Sequence, residues 1–174
     1  MKTVFKCHLV ITLVLASGCS VANRSDNYTA GDISGINHTA VAINYFSVNG
    51  YGGPNIFPFG DGGGYCCVML PKKWHPGLKA RINWEITPDT VPPPPPYSEH
   101  IKFRAWSKNL KASYIQHETI VDIPQYGTER CGITVHFLPC NQIKVTTVCQ
   151  GYGTPDYPIK EPRHMEEPAT CPVK

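Results

Sequence analysis

Apolar and polar residues alternate with period two in short runs that recur along the chain. The run Leu78-Lys-Ala-Arg-Ile-Asn-Trp-Glu-Ile86 alternates without a fault, which predicts a half-buried strand with Leu78, Ala80, Ile82, Trp84 and Ile86 facing inward. Val41, Ile43 and Tyr45 alternate with Ala42, Asn44 and Phe46. No proline precedes Pro54, so residues 32–48 are predicted to hold one uninterrupted strand. Tyr65 to Leu70 is a short apolar strand stopped by Pro71. Ile101-Lys-Phe-Arg-Ala105 alternates again, and so do Ile115, His117, Thr119 and Val121 within residues 113–123. Ile133, Val135 and Phe137 answer Ile143, Val145 and Thr147 across Pro139-Cys140-Asn141, the pattern of a hairpin. The expectation is that no breaker-free stretch of about ten residues keeps a helical period. About seven short strands with turn-rich joints predict an all-β fold, a small antiparallel β-sandwich.

The segments between these runs are long. Asn49 to Gly64 is a loop of Asn, Gly and Pro with Tyr51, Ile56, Phe57 and Phe59 interleaved, and Gly60-Asp-Gly-Gly-Gly64 within it reads as a flexible hairpin turn. Pro92 to Pro96 is an unbroken proline run and must be an extended polyproline segment. With 15 Gly and 17 Pro in 174 residues, loops rich in both are expected throughout.

The chain opens with an address. Met1 to Lys6 is a short basic segment and Cys7 to Leu15 a mostly apolar one, too short to span a bilayer. Ala16, Ser17, Gly18 and Cys19 follow. This order resembles a bacterial lipobox, with Ala16 where the pattern prefers Leu. The resemblance implies that the Cys19 thiol receives a diacylglyceryl group and becomes the mature N-terminus. Ser20, rather than Asp, follows the cysteine, which implies sorting to the outer membrane, facing the periplasm. Two or three acyl chains, at about 0.8 kcal/mol per buried CH₂, make a firm anchor. The expected organisation is a signal peptide over 1–18, a tether over 19–31, a sandwich over 32–150 and a Pro-rich tail over 151–174.

Export changes how the cysteines read. With Cys7 removed and Cys19 lipidated, Cys66, Cys67, Cys131, Cys140, Cys149 and Cys171 remain, an even set that predicts a disulfide-stapled body. The hairpin register sets Cys131 opposite Cys149, at a separation a bridge closes. It also puts Cys140 at the tip, free to reach Cys171 or the Cys66-Cys67 pair; the partners of these four stay open. No CxxC spacing or histidine cluster argues for metal.

Removing Lys2 and Lys6 from the 16 basic residues leaves 14 against 13 acidic ones, so the mature chain is near neutral. That excludes a strongly basic nucleic-acid binder. There is no GxSxG elbow, HExxH, phosphate loop or dinucleotide fingerprint. Glu85, Glu99 and Glu118 fall where solvated surface charge is the default. The expectation is a protein that is not an enzyme and carries no cofactor.

Asp32-Ile-Ser-Gly-Ile-Asn-His-Thr39, Phe46-Ser-Val-Asn-Gly50, Gly64-Tyr-Cys-Cys-Val-Met-Leu-Pro71, Trp74-His-Pro-Gly-Leu78, Pro124-Gln-Tyr126 and Gly132-Ile-Thr-Val-His-Phe-Leu-Pro139 together resemble a family of proteobacterial lipoproteins classed as domain of unknown function 3304. Members are often encoded beside type VI secretion phospholipase effectors. The resemblance therefore implies an immunity protein that binds and neutralises such a toxin; the alternative is a structural or ligand-binding envelope lipoprotein with no toxin partner. The expected contacts are the aromatics Tyr51, Phe57 and Phe59 and the Pro92–Pro96 loop, since exposed aromatics on a stiff frame make good anchors.

Overall fold

The computed structural model describes residues 27–88 and 90–172; the segment read as a signal peptide, Cys19 and the first part of the expected tether lie outside them. The strands are β1 (Tyr28–Asn37), β2 (Ile43–Val48), β3 (Tyr51–Gly52), β4 (Asp61–Pro71), β5 (Lys79–Ile86), β6 (Ile115–Asp122), β7 (Ile133–Leu138) and β8 (Gln142–Thr146), with one helix, α1 (His100–Ser113), between β5 and β6. They form two four-stranded sheets, β4-β1-β7-β8 and β3-β2-β5-β6. β1 and β7 run parallel and the other pairs antiparallel.

The inward residues of the two sheets close one core. Ile33, Val68, Ile133 and Val135 come from the first sheet and Phe46, Val48, Ile82 and Trp84 from the second. Phe137 crosses the interface edge-on to Phe46 at 5.2 Å and to Trp84 at 6.1 Å. The chain is thus an all-β sandwich. The β7–β8 hairpin takes the register that its alternation sets, Val135 against Val145 and Phe137 against Ile143, around a tight turn at Pro139–Asn141.

Four expectations are corrected. Residues 32–48 do not make one strand. Asn37 stops it: its side-chain oxygen accepts from the Thr39 amide and hydroxyl, and its amide donates to the Val41 carbonyl, folding residues 38–42 into a turn. Residues 101–105 lie in α1, not in a strand. Phe103, Trp106 and Leu110 recur at helical spacing, and that half-buried side lies on the proline segment: Trp106 Nε1 donates to the Pro92 carbonyl at 2.8 Å and Tyr97 meets Phe103 edge-on. The glycine run at 61–64 is the first part of β4 rather than a turn. Gly63 passes under Ser34, where a Cβ has no room, and Gly62 lies tightly against Pro54. Finally, β1 begins at Tyr28, so the end of the segment read as tether is already paired with Pro71 and Leu70.

Two backbones cross at Gly31 and Gly132. A Cβ on either would drive into the other strand, and Gly132 also holds φ +94°. This crossing seats β7 beside β1. It lies next to Cys131, which is bridged to Cys149 with S–S 2.08 Å.

Candidate functional site

A groove of about 610 Å³ opens on the outside of the second sheet, walled by Tyr45, Ile56, Phe57, Tyr65, Tyr114 and Lys111. The backbone explains why these side chains meet. β2 carries an extra residue at Asn44, since Ile43 faces Ile86 while Tyr45 already faces Glu85. The bulge flips the alternation, so Phe46 turns into the core and Tyr45 turns out, 43% exposed. The loop after β3 is held flat against this strand by paired backbone bonds between Ile43 and Ile56, both 2.9 Å. Gly53 sits directly beneath the Phe46 ring, where no larger residue fits. Phe57 is left projecting, 74% exposed. Tyr65 enters from β4, and Lys111 and Tyr114 enter from α1 and its end.

The residues expected to make contacts part ways here. Phe57 is in the groove. Tyr51, 46% exposed, opens β3 opposite Val48 and does not line it. Phe59 turns the other way: at φ 55° it stacks on His164, centroids 4.3 Å apart, and lines a separate cleft of about 500 Å³ between the sheets with Trp84, Phe137 and Met165. The Pro92–Pro96 run, also expected to make contacts, carries α1. Tyr45, Tyr65, Tyr114 and Lys111 were not picked out by sequence. The available signal was an aromatic at an outward position, and the β2 bulge hid it for Tyr45.

Chemically, the groove offers phenol and phenyl faces beside an ammonium. Such a set grips by burying aromatic area and by ring–cation attraction.

The chain's acid–base groups assemble elsewhere. His38, after β1, and His136, on β7, have no exposed surface. His38 Nδ1 lies 2.7 Å from the Pro162 carbonyl, which can only accept, so Nδ1 donates. His38 Nε2 then accepts from His136 Nδ1 at 2.8 Å, and His136 Nε2 accepts from the Tyr157 hydroxyl at 2.7 Å. In this arrangement both rings are neutral, the state that their burial favours. Burial, then the neighbouring His38, hold His136 down to about 3. Burial also lowers His38, against the Pro162 hydrogen bond, and pushes the Tyr157 phenol up to about 12. Tyr152 donates to the Glu161 carbonyl and carries Arg163 over its ring at 4.8 Å; Lys144 pairs with Glu161. The group thus fastens the segment after β8 onto β1 and β7. With both rings sealed from solvent, its geometry is that of a polar core.

Cys140, at the hairpin tip, is bridged to Cys171, which closes the same segment over the end of the sandwich. Glu167 accepts from the Cys140 amide at 2.6 Å. Cys140, Glu167 and Cys171 come close enough together to share an ion, but the two sulfurs are bonded to each other. Cys66 and Cys67, neighbours in sequence, are bridged to one another at the β4 bulge, across a cis peptide.

Residues 36–145 match the family described as protein of unknown function (DUF3304). The chain belongs to that family. No curated protein and no solved structure matches it.

Proposed function

We propose that this protein is a lipid-anchored envelope protein that binds and neutralises a phospholipase toxin delivered by type VI secretion, standing at the outer membrane and facing the periplasm. The observation that carries the reading is the exposed aromatic groove around Phe57, built on a bridged sandwich. Aromatics already fixed by their backbone lose little freedom on binding, so most of the area they bury goes into affinity. The lipobox-like Cys19 supplies the anchor in this reading, through its acyl chains. A phospholipase acts at membranes, and tethering its antidote there raises the local concentration with no added contact.

The arrangement of the body supports this reading. β1 starts at Tyr28 beside Pro71, so the tether leaves from that end. The groove lies toward the other end, near Ile43 and the start of β2. Ten residues of β1 separate the two ends, about 33 Å of extended strand, which turns the groove away from the anchoring bilayer.

The test is a mixing assay. Phospholipases encoded next to the gene are titrated with the soluble body from Ser20 onward, and lipid hydrolysis is followed. Stoichiometric loss of activity with one of them is expected; full activity with every one rejects the immunity reading. Labelled palmitate should enter the wild-type chain and not Cys19→Ala. A second reading, a ligand-binding envelope lipoprotein without a toxin partner, draws on the cleft of about 500 Å³ lined by Phe59, Trp84 and Phe137. A small apolar molecule co-purifying with the protein would favour it.

A further inference from the structure

None of the residues of helix α1 is buried. Its sequence, His100-Ile-Lys-Phe-Arg-Ala-Trp-Ser-Lys-Asn-Leu-Lys-Ala-Ser113, has four cations and no acid. Lys102 is used by Glu99 just before the helix. Arg104, Lys108 and Lys111 are spaced four and three apart, which stacks them on one face. Among the described residues no carboxylate pairs with any of the three. Elsewhere on the body, basic residues such as Lys79, Arg81, Lys144 and Arg163 do have acidic partners. Three aligned guanidinium and ammonium groups therefore stand together with their charge unanswered. Ile101, 86% exposed, lies beside them.

We infer that this face of α1 is an electrostatic docking surface for an acidic protein surface, carried by the same partner that fills the aromatic groove. The inference rests on the partner-binding reading above and extends it. Lys111 lines the groove and closes the cationic row, so the two surfaces are continuous. A bilayer fits the helix poorly. An interfacial helix sinks a broad apolar face into lipid. Here Phe103 and Trp106 are already engaged with Tyr97 and Pro92. The helix also joins β5 and β6 at Ile86 and Ile115, whereas the tether leaves at the other end of the sandwich; β5 starts there, a short loop after Pro71. Opposed charge at such a rim acts mainly by steering encounter.

The experiment compares wild type, Arg104→Glu/Lys108→Glu, and the charge-matched control Lys72→Glu/Lys73→Glu at the tether end. Arg104 and Lys108 lie outside the groove, so its anchors stay intact. Association with the inhibited neighbouring phospholipase is followed by surface plasmon resonance at low and high salt. The helix variant should associate about 10–100-fold more slowly at low salt, with the gap closing at high salt and dissociation little changed. The control should behave as wild type. Equal association of helix variant and wild type overturns the docking inference alone. Failure of wild type to bind any neighbouring phospholipase overturns the reading on which it rests. Vesicles containing phosphatidylglycerol form a third arm: binding that needs Arg104 and Lys108, with unaltered phospholipase association, assigns the row to lipid and overturns the acidic-protein assignment.

Discussion

Acidification from pH 8 to pH 5 should cost this fold about 2 kcal/mol through His136 alone. In the unfolded chain the imidazole titrates near its ordinary 6.5, while in the fold it is held down to about 3. The folded value is the depressed one, so between these limits the unfolded chain binds the extra proton. Stability is therefore full above 6.5 and falls as pH drops toward 3. At pH 5 the loss is set by the gap of about 1.5 units to the unfolded value, each unit being about 1.36 kcal/mol. It is nearly independent of how far below 4 the folded value lies. His38 is lowered as well and adds in the same direction. His38, Tyr157, Tyr152, Glu161, Arg163 and Lys144 are the titratable groups that face His136. Among the acids, Glu161 is held below its ordinary 4.5, chiefly by Lys144, and its own contribution is lost only under more acid conditions. The interval between pH 5 and 6.5 thus lies above the loss of the Glu161 contribution. Urea unfolding followed by circular dichroism at pH 8, 7, 6 and 5 reads the slope, and His136→Gln should flatten it. A stability that is level or rises toward pH 5, or a slope that survives His136→Gln unchanged, refutes the neutral two-ring arrangement.

Gly132→Ala should destabilise by about 3 kcal/mol or more, because it adds a methyl group inside the β1–β7 crossing at a positive φ. Gly50→Ala, at φ +86° with open space around it, should cost only about 1 kcal/mol; thermal melts of the two separate clash from conformation. Replacing both Cys140 and Cys171 by Ser opens a loop of sequence separation 31 and should cost about 3 kcal/mol in urea unfolding. Phe57→Ala should leave the melting midpoint within a degree or two, since most of the ring is already in water. On the proposed function, the same change should weaken inhibition of the neighbouring phospholipase about 30-fold or more, measured by titration.

The sandwich was legible because its strands are half-buried, and half-burial writes itself as alternation. β5 and the β7–β8 hairpin are the plainest cases. α1 was misread because Ile101 to Ala105 happens to alternate. The longer spacing through Phe103, Trp106 and Leu110 is helical, but it packs on a proline loop instead of the core and leaves a weak stripe. The groove was half legible. Phe57 stood out as an aromatic in a glycine- and proline-rich loop, while Tyr45 was concealed by a one-residue bulge that no local pattern announces. The histidine chain was invisible in sequence. His38, His136 and Pro162 are brought together by contacts spanning 98 and 124 positions, through a tail whose proline content reads as surface.

The fastening of Tyr157 and Pro162 onto His136 and His38 makes the interior depend on a segment outside both sheets. All eight strands precede in sequence the segment that satisfies their buried imidazoles. A chain halted after β8 would hold every strand and still leave His38 Nδ1 and His136 Nε2 without their partners. Such a product should unfold more readily than the whole body, because a stretch that belongs to neither sheet completes the interior.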